Sequence, residues 1–392
     1  MKPASPALLV QTATPSTVRD VNRRIILNLI RLHQPISRAD LSAQTGISRS
    51  NISEIVDELV LMGMVKEKQA EPSKRGRVPI HLSLNDDGFR VLGISIRASV
   101  TSLAYAGLSG RAQKVITFPT PSTPQKFVRM LASKSIHGAS GFFQHVGVSV
   151  PGLINAESGE VLWLPALPEY AGFPLATAIQ EVVGVPVTAD NDCNLGALAD
   201  LWLSAEEIAG LQNFVFLEIG AIGVGAGLIL GREVYRGYDG RFAAEFGHMI
   251  VDPNGPNCRC GRQGCWELFV CDQAAWQRYR GAEPFDSTSM ATLLAEARNG
   301  SGDAMRALEE TARYLSIGIS NIVLALNPEL IVITGEITAA WDLVGPMIEN
   351  KFAPSKIAIR VRPANLSPED LYLQGAISLA LNNAFAKPRI GW

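Results

Sequence analysis

The stretch Glu245–Glu267, EFGHMIVDPNGPNCRCGRQGCWE, constrains this chain more than any other. It carries one histidine and three of the five cysteines: His248, Cys258, Cys260 and Cys265. Gly, Asn and Pro are dense around them, so the segment can wrap tightly round an ion but cannot build a core of its own. One imidazole and three thiolates in an H-x9-C-x-C-x4-C spacing suit a closed, structural Zn²⁺ site. The residues alone leave a loop of free thiols, or one disulfide with a spare thiol, as alternatives; nothing else in the chain points to an oxidising compartment. Glu245 lies three residues before the histidine and Glu267 two after the last cysteine. A metal clamp would hold both acids as rigid acceptors for ligand hydroxyls, whereas without one they read as solvated surface groups.

A chain of 392 residues can bury two or three separate cores, and 47% hydrophobic with 18% charged residues is the composition of a globular protein. The opening MKPASPALLVQTATPS lacks the long apolar run of a signal peptide, and the most apolar window, Phe214–Leu230, holds Glu218 and four glycines. It reads as strand-turn-strand, so no membrane insertion is expected and the expected compartment is the cytoplasm. Charge is unevenly spread. Residues 1–85 hold 12 Lys/Arg against 7 Asp/Glu, and the remainder 23 against 30. A basic front on an acidic body suggests a nucleic-acid module joined to something else.

The pattern of that front supports the charge. Thr17–His33 has the apolar stripe of a helix, which Pro35 ends; Ser37 can cap a second helix, Arg38–Thr45; Gly46 turns, and Ser48 caps a third helix running to about Met62. Ile52, Ile55, Val56 and Leu59 face inward, while Arg49, Ser50, Asn51 and Ser53 crowd the first turn. Two helices joined by a glycine turn, the second opening with small polar and Arg side chains, form a helix-turn-helix able to reach base edges and phosphates of double-stranded DNA. Met64–Lys68 and Ile80–Leu84 read as the strands of a wing, with Lys74, Arg75 and Arg77 at its basic tip. The candidate DNA contacts are Arg38, Ser48, Arg49, Ser50, Asn51, Ser53, Lys74, Arg75 and Arg77. A protein-interaction domain, or a basic loop of no consequence, is the plainer reading of the same residues.

From Gly88 strands alternate with helices. Phe89–Ala106 reads as two strands, Gln144–Ile154 as a buried strand running into Pro151-Gly152-Leu153, and Val185–Asn194 as a strand that feeds a helix beginning at Leu195. Met290–Ala297, Ser301–Leu326 and Gln374–Phe385 are helical, and Leu330–Ile333 is a buried parallel strand. Asn191 and Asp192 are favoured helix caps. Cys193 and Cys271 read as plain core thiols.

Ala244-Glu245-Phe246-Gly247-His248 followed by Cys258–Glu267 resembles the G-E-x-G-H and C-x-C-G-x-x-G-C-x-E motifs of the ROK family of repressors and sugar kinases, with Ala244 in place of the first glycine. The winged front is similar to that of ROK repressors, which the kinases lack. The resemblance implies an α/β fold: a winged helix-turn-helix (1–85) followed by an actin-like, ribonuclease H-like two-lobed body. The first lobe would span 86–200 and be completed by the C-terminal helix 374–392. The second would span 201–373, with the zinc motif and an oligomerisation surface. It also implies a sugar cleft lined by Gly152, Asn191, Asp192, Glu245, His248 and Glu267, with the histidine serving zinc and sugar together.

In the family's kinases the first strand ends in a G-x-D-x-G-G-T turn whose glycines let the backbone approach ATP phosphates. Here the run is Gly93-Ile94-Ser95-Ile96-Arg97-Ala98-Ser99, with serine for the acid and Arg97 and Ala98 for the glycines. The adenosine-side turn keeps only Gly335. The expectation is a kinase frame that has lost phosphoryl transfer, although Arg97 could instead hold an anionic ligand. The function expected is therefore a sugar- or sugar-phosphate-responsive repressor, homodimeric or homotetrameric, with no catalytic residues. The alternatives are a sugar kinase with an appended DNA-binding domain, and a repressor controlled by a sugar-transport protein.

Overall fold

The structure is a computed structural model, and it describes residues 15–69, 80–133, 143–203, 211–352 and 359–385. The front comprises α1 (Pro15–His33), β1 (Ile36–Ser37), α2 (Arg38–Thr45), α3 (Arg49–Leu61), β2 (Val65–Gln69) and β3 (Ile80–Leu84). Local chemistry sets these boundaries. Ser37 and Asp40 form a reciprocal capping box at the start of α2, and Gly46 ends that helix in the left-handed region at φ 72°. The Ser48 hydroxyl accepts the Asn51 N–H at 3.4 Å to open α3. β2 and β3 pair antiparallel as a wing, with β1 along the other edge of β3. The wing tip expected to carry Lys74, Arg75 and Arg77 lies outside the described residues.

The body begins with β4 (Val91–Ile96), β5 (Val100–Ala106), β6 (Ala112–Pro119), α4 (Pro124–Ser133) and β7 (His145–Val150). The hairpin β8 (Leu153–Asn155) and β9 (Glu160–Trp163) follows, then α5 (Leu175–Val183), β10 (Val187–Asn191) and α6 (Asp192–Leu203). The second half holds β11 (Phe214–Ile219), β12 (Val224–Leu230), β13 (Glu233–Val234), α7 (Glu267–Val270), α8 (Asp272–Arg280) and α9 (Ser289–Arg298). It continues through α10 (Gly302–Leu326), β14 (Leu330–Thr334), α11 (Trp341–Phe352) and β15 (Val361–Pro363), and α12 (Pro368–Phe385) closes the described chain.

Among the described residues the two large sheets share one topology. Their orders are β10-β7-β4-β5-β6 and β13-β12-β11-β14-β15, so in each the strands lie third, second, first, fourth, fifth, with the second antiparallel to the first. This ribonuclease H-like arrangement, occurring twice, makes the two-lobed actin-like body that the sequence led us to expect. Parallel strands in such sheets offer a ligand crevice beyond their carboxyl ends, and two sheets facing one another enclose a cleft there. α12 returns from the second half onto the first sheet, so close that a Cβ on Gly147 would lie 1.9 Å from the Ala376 carbonyl oxygen. No described helix is long and apolar enough to cross a membrane.

Packing joins front and body. One buried cluster runs from Ile26, Ile30, Leu41 and Ile52 of the winged domain to Val91, Ala104, Trp202 and Ile377 of the body. A second, under α10, packs Trp266, Leu315 and Ile319 against Val215 and Leu217 of β11.

Candidate ligand cleft, metal centre and DNA-facing surface

The histidine and three cysteines converge. One ligand-type atom from each of His248, Cys258, Cys260 and Cys265 lies within 4.8 Å of all the others. The Cys258 sulfur is 3.7 Å from His248 Nδ1, and the Cys260 and Cys265 sulfurs are 3.5 Å apart. All five cysteines are free, which removes the disulfide alternative. The spacing suits four donors round one ion, and the donor set fits a metal with tetrahedral taste. The loop is built for closeness: Gly264 has φ 72°, and a Cβ there would lie 1.6 Å from the Asp252 carbonyl oxygen. Trp266, fully buried next to Cys265, anchors the knot in the second core and donates its indole N–H to the Tyr314 carbonyl at 2.8 Å.

The acids flanking the knot differ. Glu267 is 4% exposed, and its Oε1 accepts the Cys258 thiol at 3.0 Å and lies 3.6 Å from His248 Nδ1. Glu245 opens onto a cleft of about 200 Å³. The lining of that cleft brings together Gly152, Asn191, Asp192 and Glu245, whereas His248 belongs to the His-Cys cluster and Glu267 lies against its Cys258. The ring nitrogen of His248 that faces the thiols is Nδ1. Ala244, where the family motif has glycine, stands at φ 57°, a backbone that strains any side chain with a Cβ.

The floor of the cleft is the junction of β10 and α6. The helix begins at Asp192, three residues ahead of the expected Leu195, because Asn191 supplies the cap: its Oδ1 accepts the N–H groups of Cys193 at 2.9 Å and Asn194 at 3.2 Å. Asn191 Nδ2 donates to the Gly152 carbonyl at 3.0 Å, fixing the loop after β7 to the helix start. Asp190, 1% exposed, accepts Arg236 Nε at 2.7 Å and the Asn194 amide at 3.0 Å. Sequence reasoning missed this buried pair; a carboxylate at a strand end demands a cation, but nothing in the spacing names one 46 positions away.

Arg97 occupies the turn between β4 and β5, and its side chain reaches Asp192 at the floor of the cleft. Its guanidinium donates to Asp192 Oδ2 at 3.3 Å, lies 3.9 Å from Glu218 Oε1, and stands over the Tyr372 ring at 4.5 Å. Burial pushes the Asp192 carboxyl up to about 7; Glu218 adds to the rise and Arg97 opposes it. Asp192, Cys193 and Glu218 also place ligand-type atoms together, but Arg97 already supplies positive charge there. Cys193 is more than a core thiol: it donates to Glu218 Oε2 at 3.4 Å.

Beyond Glu218 lies the glycine turn joining β11 and β12. Its Gly220 and Ala221 carbonyls accept the first two N–H groups of α8, from Asp272 at 3.1 Å and Gln273 at 3.0 Å. Asp272 is 3% exposed, and its Oδ1 has no hydrogen-bond partner among the described residues. Burial, with Glu336 and Glu218 nearby, pushes its carboxyl up to about 8.

On the winged domain, Ser48, Arg49, Ser50 and Asn51 are exposed at the start of α3, and Ser53 is half-buried. Arg38 differs from them. It donates to Asp57 and Glu67, both at 2.7 Å, and to the Ser53 carbonyl at 3.2 Å, so its guanidinium ties α2, α3 and β2 together.

Residues 91–380 match the ROK family, and residues 19–66 match a winged helix-turn-helix DNA-binding domain. The xylose repressor of Bacillus subtilis strain 168 is 30% identical over 83% of this chain and 85% of its own length. The DNA-binding transcriptional dual regulator NagC of Escherichia coli K12 is 25% identical over 88% of each chain. Among solved structures, a ROK family transcriptional regulator described as a homologue of the E. coli MLC protein matches with a TM-score of 0.80 at 25% identity, covering 94% of this chain and 98% of that one. A ROK family glucokinase from Streptomyces griseus, solved with glucose and AMPPNP, matches with a TM-score of 0.61 at 25% identity, over 74% of this chain and 99% of its own.

Proposed function

This chain belongs to the ROK family, and on that premise we propose that it is a sugar-responsive DNA-binding transcriptional regulator, a repressor of carbohydrate uptake or catabolism genes. Relatives named as a xylose repressor and a transcriptional regulator support the reading. The observation that carries it is α6. This one helix, about 18 Å long at 1.5 Å per residue, starts in the cleft with Asp192 and ends against the winged domain with Trp202. There the Arg31 guanidinium of α1 lies 4.1 Å over the Trp202 ring and donates to the Trp202 carbonyl at 3.3 Å. A ligand that shifts the start of α6 therefore pushes on the element that carries the recognition helix.

In this reading Asp192 and Glu245 accept sugar hydroxyls, Gly152 lends backbone, and His248 turns Nε2 to the sugar while Nδ1 faces the metal. Asn191 holds Gly152 in place, and Glu267 steadies the metal knot. The metal is a structural zinc held by His248, Cys258, Cys260 and Cys265, which braces the loop that carries Glu245. Ser48, Arg49, Ser50, Asn51 and Ser53 face operator DNA, Lys74, Arg75 and Arg77 add positive charge for its phosphates, and Arg38 braces α2 and α3 from behind. The winged domain spans 1–85, the first lobe 86–200 with the closing segment from 374 onward, and the second 201–373. The chain works in the cytoplasm as a homodimer or homotetramer, because a helix-turn-helix reads paired half-sites.

Phosphoryl transfer has no place in this reading. Arg97 stands where the kinases' phosphate turn has glycine, and its guanidinium sits on Asp192. The first amides of α8, which would otherwise favour a phosphate, are bonded to the glycine turn, and the buried Asp272 carboxyl with Glu336 close to it leaves no cation there, among the described residues, to hold one. Calorimetric titration of zinc-loaded protein with pentoses, hexoses, amino sugars, their phosphates and an ATP analogue tests this. The expected result is heat from a sugar, none from the ATP analogue, and no ADP release on turnover. ADP release dependent on a sugar would make the protein a kinase and overturn the proposal.

A further inference from the structure

We propose that Trp163 and Phe242 form an aromatic clamp at the mouth of the cleft that stacks against the C–H faces of a pyranose ring; the inference rests on a sugar being the cleft's ligand. Both rings belong to the lining of the cleft that holds Asp192 and Glu245. Trp163 ends β9 of the first lobe, and Phe242 lies in the second-lobe loop after β13. Their exposures, 54% and 60%, are high for rings of this size, whereas Trp202, Trp266 and Trp276 are each at most 8% exposed. Large apolar rings left open in a concave surface lined by acids and arginines indicate a ligand with both polar and apolar character. A pyranose has them: hydroxyls round its rim and apolar C–H groups on its faces. The two mountings are tied across the lobes, because the Ala156 N–H of the β8–β9 hairpin donates to the Gly240 carbonyl of the loop at 3.1 Å. In this proposal the carboxylates take the rim, and the rings take the face.

Zinc-loaded full-length protein is titrated with D-xylose, D-glucose and N-acetyl-D-glucosamine, by calorimetry and by tryptophan emission. Sugar binding is expected to blue-shift the emission of the wild type as Trp163 is covered, and the Trp163→Phe variant loses that shift while keeping most of the affinity. Trp163→Ala and Phe242→Ala are each expected to weaken the sugar about three- to tenfold, the worth of one aromatic contact. More than half of each ring is exposed, so zinc content and melting temperature stay at their wild-type values in both variants. A sugar that binds Trp163→Ala and Phe242→Ala as tightly as the wild type overturns the clamp and leaves the sugar site standing. If none of the three sugars binds the wild type, the sugar reading and the clamp fall together.

Discussion

The two sides of the cleft are built on the same frame and carry opposite instructions. On one side Glu245 lines the open cleft above the buried Asp192, and the His248, Cys258, Cys260 and Cys265 cluster lies close behind in the chain. On the other, Arg97 fills the turn after β4, and the glycine turn gives its carbonyls to α8 where Asp272 and Glu336 crowd. Two sheets of identical topology present both sides, so the frame does not decide between them. A handful of side chains at strand ends does. On the function we propose, one side still reads a ligand and the other has become a fixed part of the wall.

The largest effect expected is on the metal side. Cys258→Ser, or removal of the metal by a chelator, takes away binding energy that in structural zinc sites is on the order of 10 kcal/mol. Thermal unfolding should show the second lobe melting early, with sugar binding lost. A metal-free protein that melts like the wild type would put the knot on the same footing as the inert side.

Next come single hydrogen-bonding carboxylates. Glu245→Gln is expected to weaken sugar binding by about ten- to a hundredfold, the worth of a charge-assisted hydrogen bond of roughly 1.5–3 kcal/mol. The matching change on the other side, Asp272→Asn, should leave sugar affinity as it is. Calorimetry on both variants sharpens the contrast, and equal losses would erase it.

Asp272 has its own signature in pH. Its carboxyl titrates near 8 in the folded protein against an ordinary 3.8. Below about pH 4 it is protonated folded or unfolded and contributes nothing. As pH rises from about 4 to 8 the unfolded chain ionises it and the folded chain does not, so folding stability falls, and above 8 the penalty is constant. Asp272→Asn should therefore outmelt the wild type by a margin that grows across that window and then levels. A margin that is flat with pH would mean that Asp272 ionises normally.

The smallest effect concerns Ala244. Its φ of 57° favours glycine, so Ala244→Gly should stabilise the protein by about 1 kcal/mol, read from chemical denaturation. A loss of stability would show that the methyl group packs usefully enough to outweigh the strain.

Much of this was legible in the chain because the residues concerned are neighbours in sequence. The four side chains that cluster as a candidate metal site fall between His248 and Cys265, and the cap at Ser37, the turn at Gly46 and the cap at Ser48 write the helix-turn-helix locally. Even the substitution at Ala244 was visible, although its backbone strain was not. The rest depends on how the lobes pack. Arg97 meets Asp192 across 95 positions, and Arg31 meets Trp202 across 171. Local pattern cannot report such meetings. Asn191 shows the intermediate case: its capping chemistry was foreseeable, but the three-residue shift of the helix start came from the side chain accepting two successive N–H groups. Arg38 shows the reverse. Its place at the head of α2 suggested DNA, and only the fold reveals Asp57 and Glu67 waiting for it.

A band-shift titration of zinc-loaded full-length protein tests the central claim most directly, using an upstream palindrome with and without a sugar that calorimetry has shown to bind. The account predicts that the sugar changes operator affinity by about five- to a hundredfold, the usual span of such coupling. It also predicts that Arg31→Ala shrinks the change while sugar affinity holds. A bound sugar that leaves operator retention unchanged would contradict it.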